Sequence, residues 1–174
     1  MVTGVQIADA AMDSGLIGTP YDKLDCQALV EKVLMLAGLR IPNYRGSNHM
    51  WRELVYNREK IDDAVILPGM LAFIVKDDGG EKKRGYHDDM KNAAHVAIAL
   101  GNGKVYESTT GGVQISSIRK FNYVARIIDV DYENAVPDTP AELTPAERIS
   151  NIIEILLQIC DELGEIRNDI HRNS

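Results

Sequence analysis

A chain of 174 residues holds one well-filled hydrophobic core but hardly two, and 45% hydrophobic with 26% charged residues is the mixture of a globular protein. The net charge is -7 and the basic residues form no stripe, so a nucleic-acid backbone is not an expected partner. No stretch approaches the ~20 apolar residues of a bilayer span.

The first residues, Met1-Val-Thr-Gly-Val-Gln-Ile-Ala-Asp, lack a basic start, an apolar run and a small-residue cleavage site, so synthesis without a secretory signal, in the cytoplasm, is expected. In that setting Cys26 and Cys160 are expected to be free thiols. Residues 5–14 read as a helix stopped by Gly15, followed by a turn-rich segment, Gly18-Thr-Pro-Tyr-Asp-Lys. Asp25 has the chemistry of an N-cap, and Leu29, Val30, Val33, Leu34 and Ala37 follow the helical period until Gly38. Residues 47–60 are predicted as another helix, carrying Met50, Trp51, Leu54 and Val55.

Past Pro68-Gly69 the period changes from helix to strand. Residues 70–75 form a predicted strand, and 76–91 a polar loop with Asp78-Gly79-Gly80 at its tip. Strands at 94–100 and 104–108 flank a Gly101-Asn102-Gly103 hairpin turn, and strands at 113–116 and 123–130 follow. Helices first and an antiparallel meander afterwards predict an α+β fold.

A proline-rich linker is expected over 131–144, leaving residues 1–130 as one domain. Thr144-Pro145-Ala146-Glu147 then opens a helix over 145–174. Ile149, Leu156, Leu163 and Ile170 fall on one seam position of its heptads, and Ile152, Ile159 and Ile166 on the other. That pattern predicts a coiled coil and a homo-oligomer, with a helix folded back on its own domain as the alternative. Cys160 lies beside the seam, as packing.

Cys26 is the candidate nucleophile. It occupies the first turn of a helix, where unpaired N–H groups and the helix dipole favour a thiolate. His95, on a strand between apolar residues, is the candidate base, because a strand holds its ring in one geometry. Glu107 lies across the hairpin from it and is the candidate third group, which orients the ring and selects its tautomer. His49, His87, His95 and His171 show no paired ligand spacing, so no metal and no cofactor are expected.

Four segments in order resemble the NlpC-type cell-wall cysteine peptidases, a papain-like family. Gly18-Thr-Pro-Tyr21 with Asp25-Cys26-Gln-Ala-Leu-Val30 resembles the tyrosine turn and the Asp-Cys-Ser-Gly-Leu-Val nucleophile motif. Leu67-Pro-Gly-Met-Leu-Ala-Phe73 resembles the Pro-Gly-Asp-Leu strand entry, and residues 94–106 resemble the His-Val-Gly-Ile-Tyr-Leu-Gly-Asn-Gly stretch. The resemblance implies a papain-like α+β domain with N-terminal helices on an antiparallel sheet. It implies Cys26 as nucleophile, His95 as base and Glu107 in a place often held by histidine. Tyr21, Asp25 and Gln27 would then border the substrate, a peptidoglycan stem peptide. A phage or prophage origin would suit a wall hydrolase without an export signal.

The sequence departs from the family pattern in the absent Gly-Gly loop before the nucleophile, in Gln27-Ala28 for Ser-Gly, and in Pro-Gly-Met for Pro-Gly-Asp. Two competing readings are a catalytically inactive binding or structural module of the same fold, and a cysteine amidase or acyltransferase acting on a non-wall substrate.

Overall fold

The computed structural model describes residues 1–77, 86 and 88–133. The expected C-terminal helix and coiled-coil seam, Cys160, His87 and nearly all of the expected linker lie outside the described residues.

The chain begins with a two-residue strand β1 (Val2–Thr3) and helix α1 (Gly4–Asp13), entered through a capping box between Thr3 and Gln6. Helix α2 (Cys26–Leu36) starts where expected, because the Asp25 carboxylate accepts the Ala28 N–H at 2.8 Å. It stops at Gly38, whose φ of +88° is the left-handed conformation that glycine adopts without strain. Ile7, Ala11, Leu29, Val30, Val33 and Leu34, spaced by three and four, are all buried.

Residues 47–60 are not one helix. Helix α3 (Ser47–Glu53) ends after two turns and strand β2 (Val55–Lys60) follows directly. Asn57 takes φ +46° at a register shift between Tyr56 and Glu59, and Val55 pairs with Ile127. The polar composition of 56–60 suits a helix as well as an edge strand; pairing with a strand far along the chain decides for the strand.

Strands β3 (Leu71–Lys76), β4 (Asn92–Gly101), β5 (Lys104–Thr109) and β6 (Gly112–Ser117) form the predicted meander. A single 3-10 turn, Ile118–Lys120, leads to β7 (Tyr123–Ile127). The sheet order is β2-β7-β3-β4-β5-β6, antiparallel throughout. The last strand does not run on to Val130: Asp129 turns it at φ +62°, and β8 (Val130–Asp131) pairs in parallel with β1. Asp131 and the buried Tyr132 therefore belong to the folded body rather than to a linker.

Helices α1, α2 and α3 all pack against β4, the longest strand among the described residues. The chain crosses itself tightly between Gly4 and Gly69. A Cβ on Gly69 would lie 2.2 Å from the Gly4 carbonyl oxygen, and one on Gly4 would lie 2.3 Å from that of Pro68. Gly69 also takes φ +79°, which explains glycine after Pro68 at the entry to β3. The resulting α+β architecture agrees with the fold expected from the sequence.

Candidate active site

Cys26 is the first residue of α2, so its backbone N–H is one of those with no partner inside the helix. Its side chain is buried, with the residue 8% exposed. Gly18 N–H donates to the Val113 carbonyl and Val113 N–H to the Thr19 carbonyl, which docks the turn before the helix onto β6. Gly112 at φ +92° lets this approach happen, since a Cβ there would meet the Thr19 oxygen at 2.9 Å. The docked turn sets Tyr21 over the thiol, and its hydroxyl donates to Cys26 Sγ at 4.0 Å. Burial, and then the neighbouring Cys26, raise the Tyr21 pKa, so the phenol stays protonated as a donor.

His95 lies on β4 opposite Ile74, beside a β-bulge that separates this pair from Val75–Ala93. Bulges re-aim side chains, and this one adjoins the imidazole. The start of β4 is tied to α3 by Ser47 Oγ donating to the Ala93 carbonyl at 2.7 Å and Ala93 N–H donating to Asn48 Oδ1 at 2.8 Å. Phe121 stacks on the His95 ring with centroids 5.7 Å apart and planes 26° apart.

Ile98 pairs with Tyr106, so Glu107 is a diagonal neighbour of His95 on the adjacent strand, within reach of its ring. His95 Nε2 and Glu107 Oε2 are 2.8 Å apart. With Nε2 engaged, Nδ1 is the nitrogen left for the thiol. Burial pulls the His95 pKa down, but hydrogen bonds with Cys26 and Glu107 and their negative charges outweigh it and raise the value to about 9. The ring therefore holds its proton through neutral pH, with the Cys26 side chain among the groups that favour its charged form.

Glu107 is fully buried. Burial favours its protonated form, yet hydrogen bonds from His95, Lys120 and Ser116 prevail and hold its pKa at about 2. The structure thus brings Cys26, His95, Glu107 and Tyr21 together. His95, Tyr21, Ile74, Thr109 and Lys120 line an open groove of about 350 Å³. A larger groove of about 600 Å³, lined by Lys60, Asp62, Lys91, Arg119 and Phe121, shares no lining residue with it.

Asp25 and Gln27, expected at the substrate, are engaged with the chain itself. Asp25 caps α2. Gln27 donates to Glu31 Oε1 at 2.9 Å and the Tyr44 carbonyl at 2.7 Å, and accepts the Gly46 N–H at 2.5 Å. These bonds pin residues 44–46 to α2, with Gln27 as the brace.

Sequence reasoning missed Lys120, Ser116 and Phe121. Ser116 was within reach of it: Glu107 pairs with Gln114, which puts Ser116 two residues along on the same face. Lys120 and Phe121 depend on the 3-10 turn, which has no periodic signature. Among the described residues no group of three His, Cys, Asp or Glu is placed to hold a metal ion, and no helix is long and apolar enough to cross a membrane.

No curated protein sequence matches this chain. Two solved structures share its fold at 23% identity each. One is the NlpC/p60 domain of the peptidoglycan hydrolase SagA, with TM-score 0.50, covering 72% of this chain and 99% of that one. The other is the P60 domain of antigen MAP1204 from M. avium subspecies paratuberculosis, with TM-score 0.51, covering 72% of this chain and 98% of that one. The model of the NlpC/P60 family matches residues 15–131, well over half the chain and the whole stretch that carries Tyr21, Cys26, His95 and Glu107. The chain belongs to the NlpC/P60 family.

Proposed function

We propose that this protein is a cysteine peptidase that cleaves an amide bond in peptidoglycan stem peptides. The observation that carries the reading is the set Cys26, His95 and Glu107, with a protonated imidazole that interacts with both the Cys26 side chain at a helix N-terminus and a buried carboxylate. The SagA domain, a peptidoglycan hydrolase by name, supports the choice of substrate.

In this reading the proton of the Cys26 S–H rests on His95, and the sulfur attacks the carbonyl carbon and forms a C–S bond. The resulting oxyanion faces donors that include the Cys26 backbone N–H. The C–N bond then breaks as His95 gives its proton to the leaving amine. Water, deprotonated by His95, attacks the thioester, the C–S bond breaks, and a carboxylic acid leaves. Glu107 keeps the ring in the tautomer and plane that both proton transfers require.

Purified protein incubated with peptidoglycan should release new free amines, and Cys26→Ala should reduce that release by at least about 10⁴-fold. Undiminished release by the Cys26→Ala variant would overturn the assignment of the nucleophile. A parent protein that releases none, and whose Cys26 alkylates no faster than a simple thiol, would overturn the hydrolase reading itself.

A further inference from the structure

Glu107 has more partners than the task of orienting a ring requires. Its Oε2 faces His95, while its Oε1 accepts hydrogen bonds from both Ser116 Oγ and Lys120 Nζ. The Glu107 side chain is 1% exposed and that of Lys120 is 42% exposed, so the ammonium reaches inward from the groove wall to a charge that solvent does not reach. The backbone that delivers it is held firmly. Ile118 is buried and its N–H donates to the Gly103 carbonyl at 3.0 Å, while Ser117 Oγ accepts the Arg119 N–H at 3.3 Å.

We propose that Lys120 is a positioning residue for the reaction: with Ser116 it clamps Glu107 Oε1, leaving Oε2 to His95, and its charge limits how tightly the imidazole keeps its proton. This rests on the hydrolase reading of the site. A carboxylate with one partner can rotate and offer either oxygen, and two strong donors on Oε1 remove that freedom. The electrostatic part follows from the groups that face the ring. Cys26 from α2 and Glu107 from β5 act on it directly, Lys120 from the 3-10 turn acts through Glu107, Tyr21 reaches the sulfur from the docked turn, and the neutral Phe121 and Ile74 lie beside the ring.

The buried Glu107 carboxylate and the Cys26 side chain therefore both favour the imidazolium. A proton held too firmly is given up slowly to a leaving amine. The Lys120 ammonium offsets part of the Glu107 charge and returns the ring toward a useful acidity. Lysine suits the role because its charge is compact and its stem is long enough to reach from the turn.

The test is an NMR titration of His95 in the parent, Lys120→Met and Lys120→Arg proteins, without substrate. Lys120→Met should move the His95 midpoint to higher pH than in the parent, and Lys120→Arg should restore it. With peptidoglycan peptide as substrate, Lys120→Met should lower kcat about tenfold, the loss of one hydrogen bond to a charged group, with KM little changed. An unmoved or lowered midpoint in a folded Lys120→Met protein overturns the proposal. Should that variant fail to fold, Lys120→Gln is titrated in its place against the same criterion. Because the titration needs no turnover, it decides the role of Lys120 even if the parent cleaves no wall peptide.

Discussion

The two halves of the site are built differently. His95 and Glu107 stand on adjacent central strands, and β4 is paired along both edges. Cys26 and Tyr21 stand on a helix start and a turn, held by an N-cap, two backbone hydrogen bonds to Val113 and the bond from Ser108 Oγ to the Leu24 carbonyl. The base side is inseparable from the sheet, so damage there is damage to the fold. The nucleophile side hangs on a few local contacts, and its geometry can change while the sheet survives.

The largest effect should come from the sheet side. Gly69→Ala adds a Cβ against the Gly4 carbonyl at a positive φ, and is expected to destabilise the protein by about 4 kcal/mol, from strain and overpacking together. Urea unfolding measures this, and a loss below about 1 kcal/mol would show that the crossing relaxes easily.

An intermediate effect should appear in the pH dependence of stability. The folded pKa of His95, about 9, exceeds its ordinary value of 6.5, so its contribution is complete below pH 6.5 and is lost as pH rises through 9. Glu107 runs the other way. Its folded value of about 2 lies below 4.5, so its contribution holds above pH 4.5 and is lost as pH falls through 2. The melting temperature should therefore plateau between those limits, with the alkaline loss amounting to about 3 kcal/mol. In Cys26→Ala, which removes one cause of the raised His95 value, the alkaline decline should be smaller and end at lower pH. An identical decline in both proteins would show that Cys26 and His95 do not communicate.

The smallest effect should come from the nucleophile side. Asp25→Ala removes the N-cap of α2 and should cost about 1 kcal/mol in urea unfolding. Alkylation of Cys26 should slow by more than that loss of global stability explains, because the first turn frays where the sulfur sits. A proportionate slowing would mean that the two halves are equally rigid.

Much of this was legible in the sequence, where chemistry is local. Asp25 and Gly38 bracket α2 because a cap and a left-handed stop act within a few residues. Gly101-Asn102-Gly103 makes the hairpin that carries His95 toward Glu107, since a two-strand register is set by its turn. The resemblance of four ordered segments to the NlpC-type peptidases pointed to the family that the chain proves to belong to.

Tertiary structure alone decided the rest. Residues 55–60 became a strand through pairing with β7, and Tyr132 closed over Gly4 and Gly69 across more than sixty residues of chain. Gln27 became a brace because residues 44–46 fold against it, and Lys120 reached Glu107 because a 3-10 turn aims it there. Periodicity and capping report what a segment does with its own backbone. Which distant donor meets a buried carboxylate depends on how separate segments pack, and no local pattern encodes that.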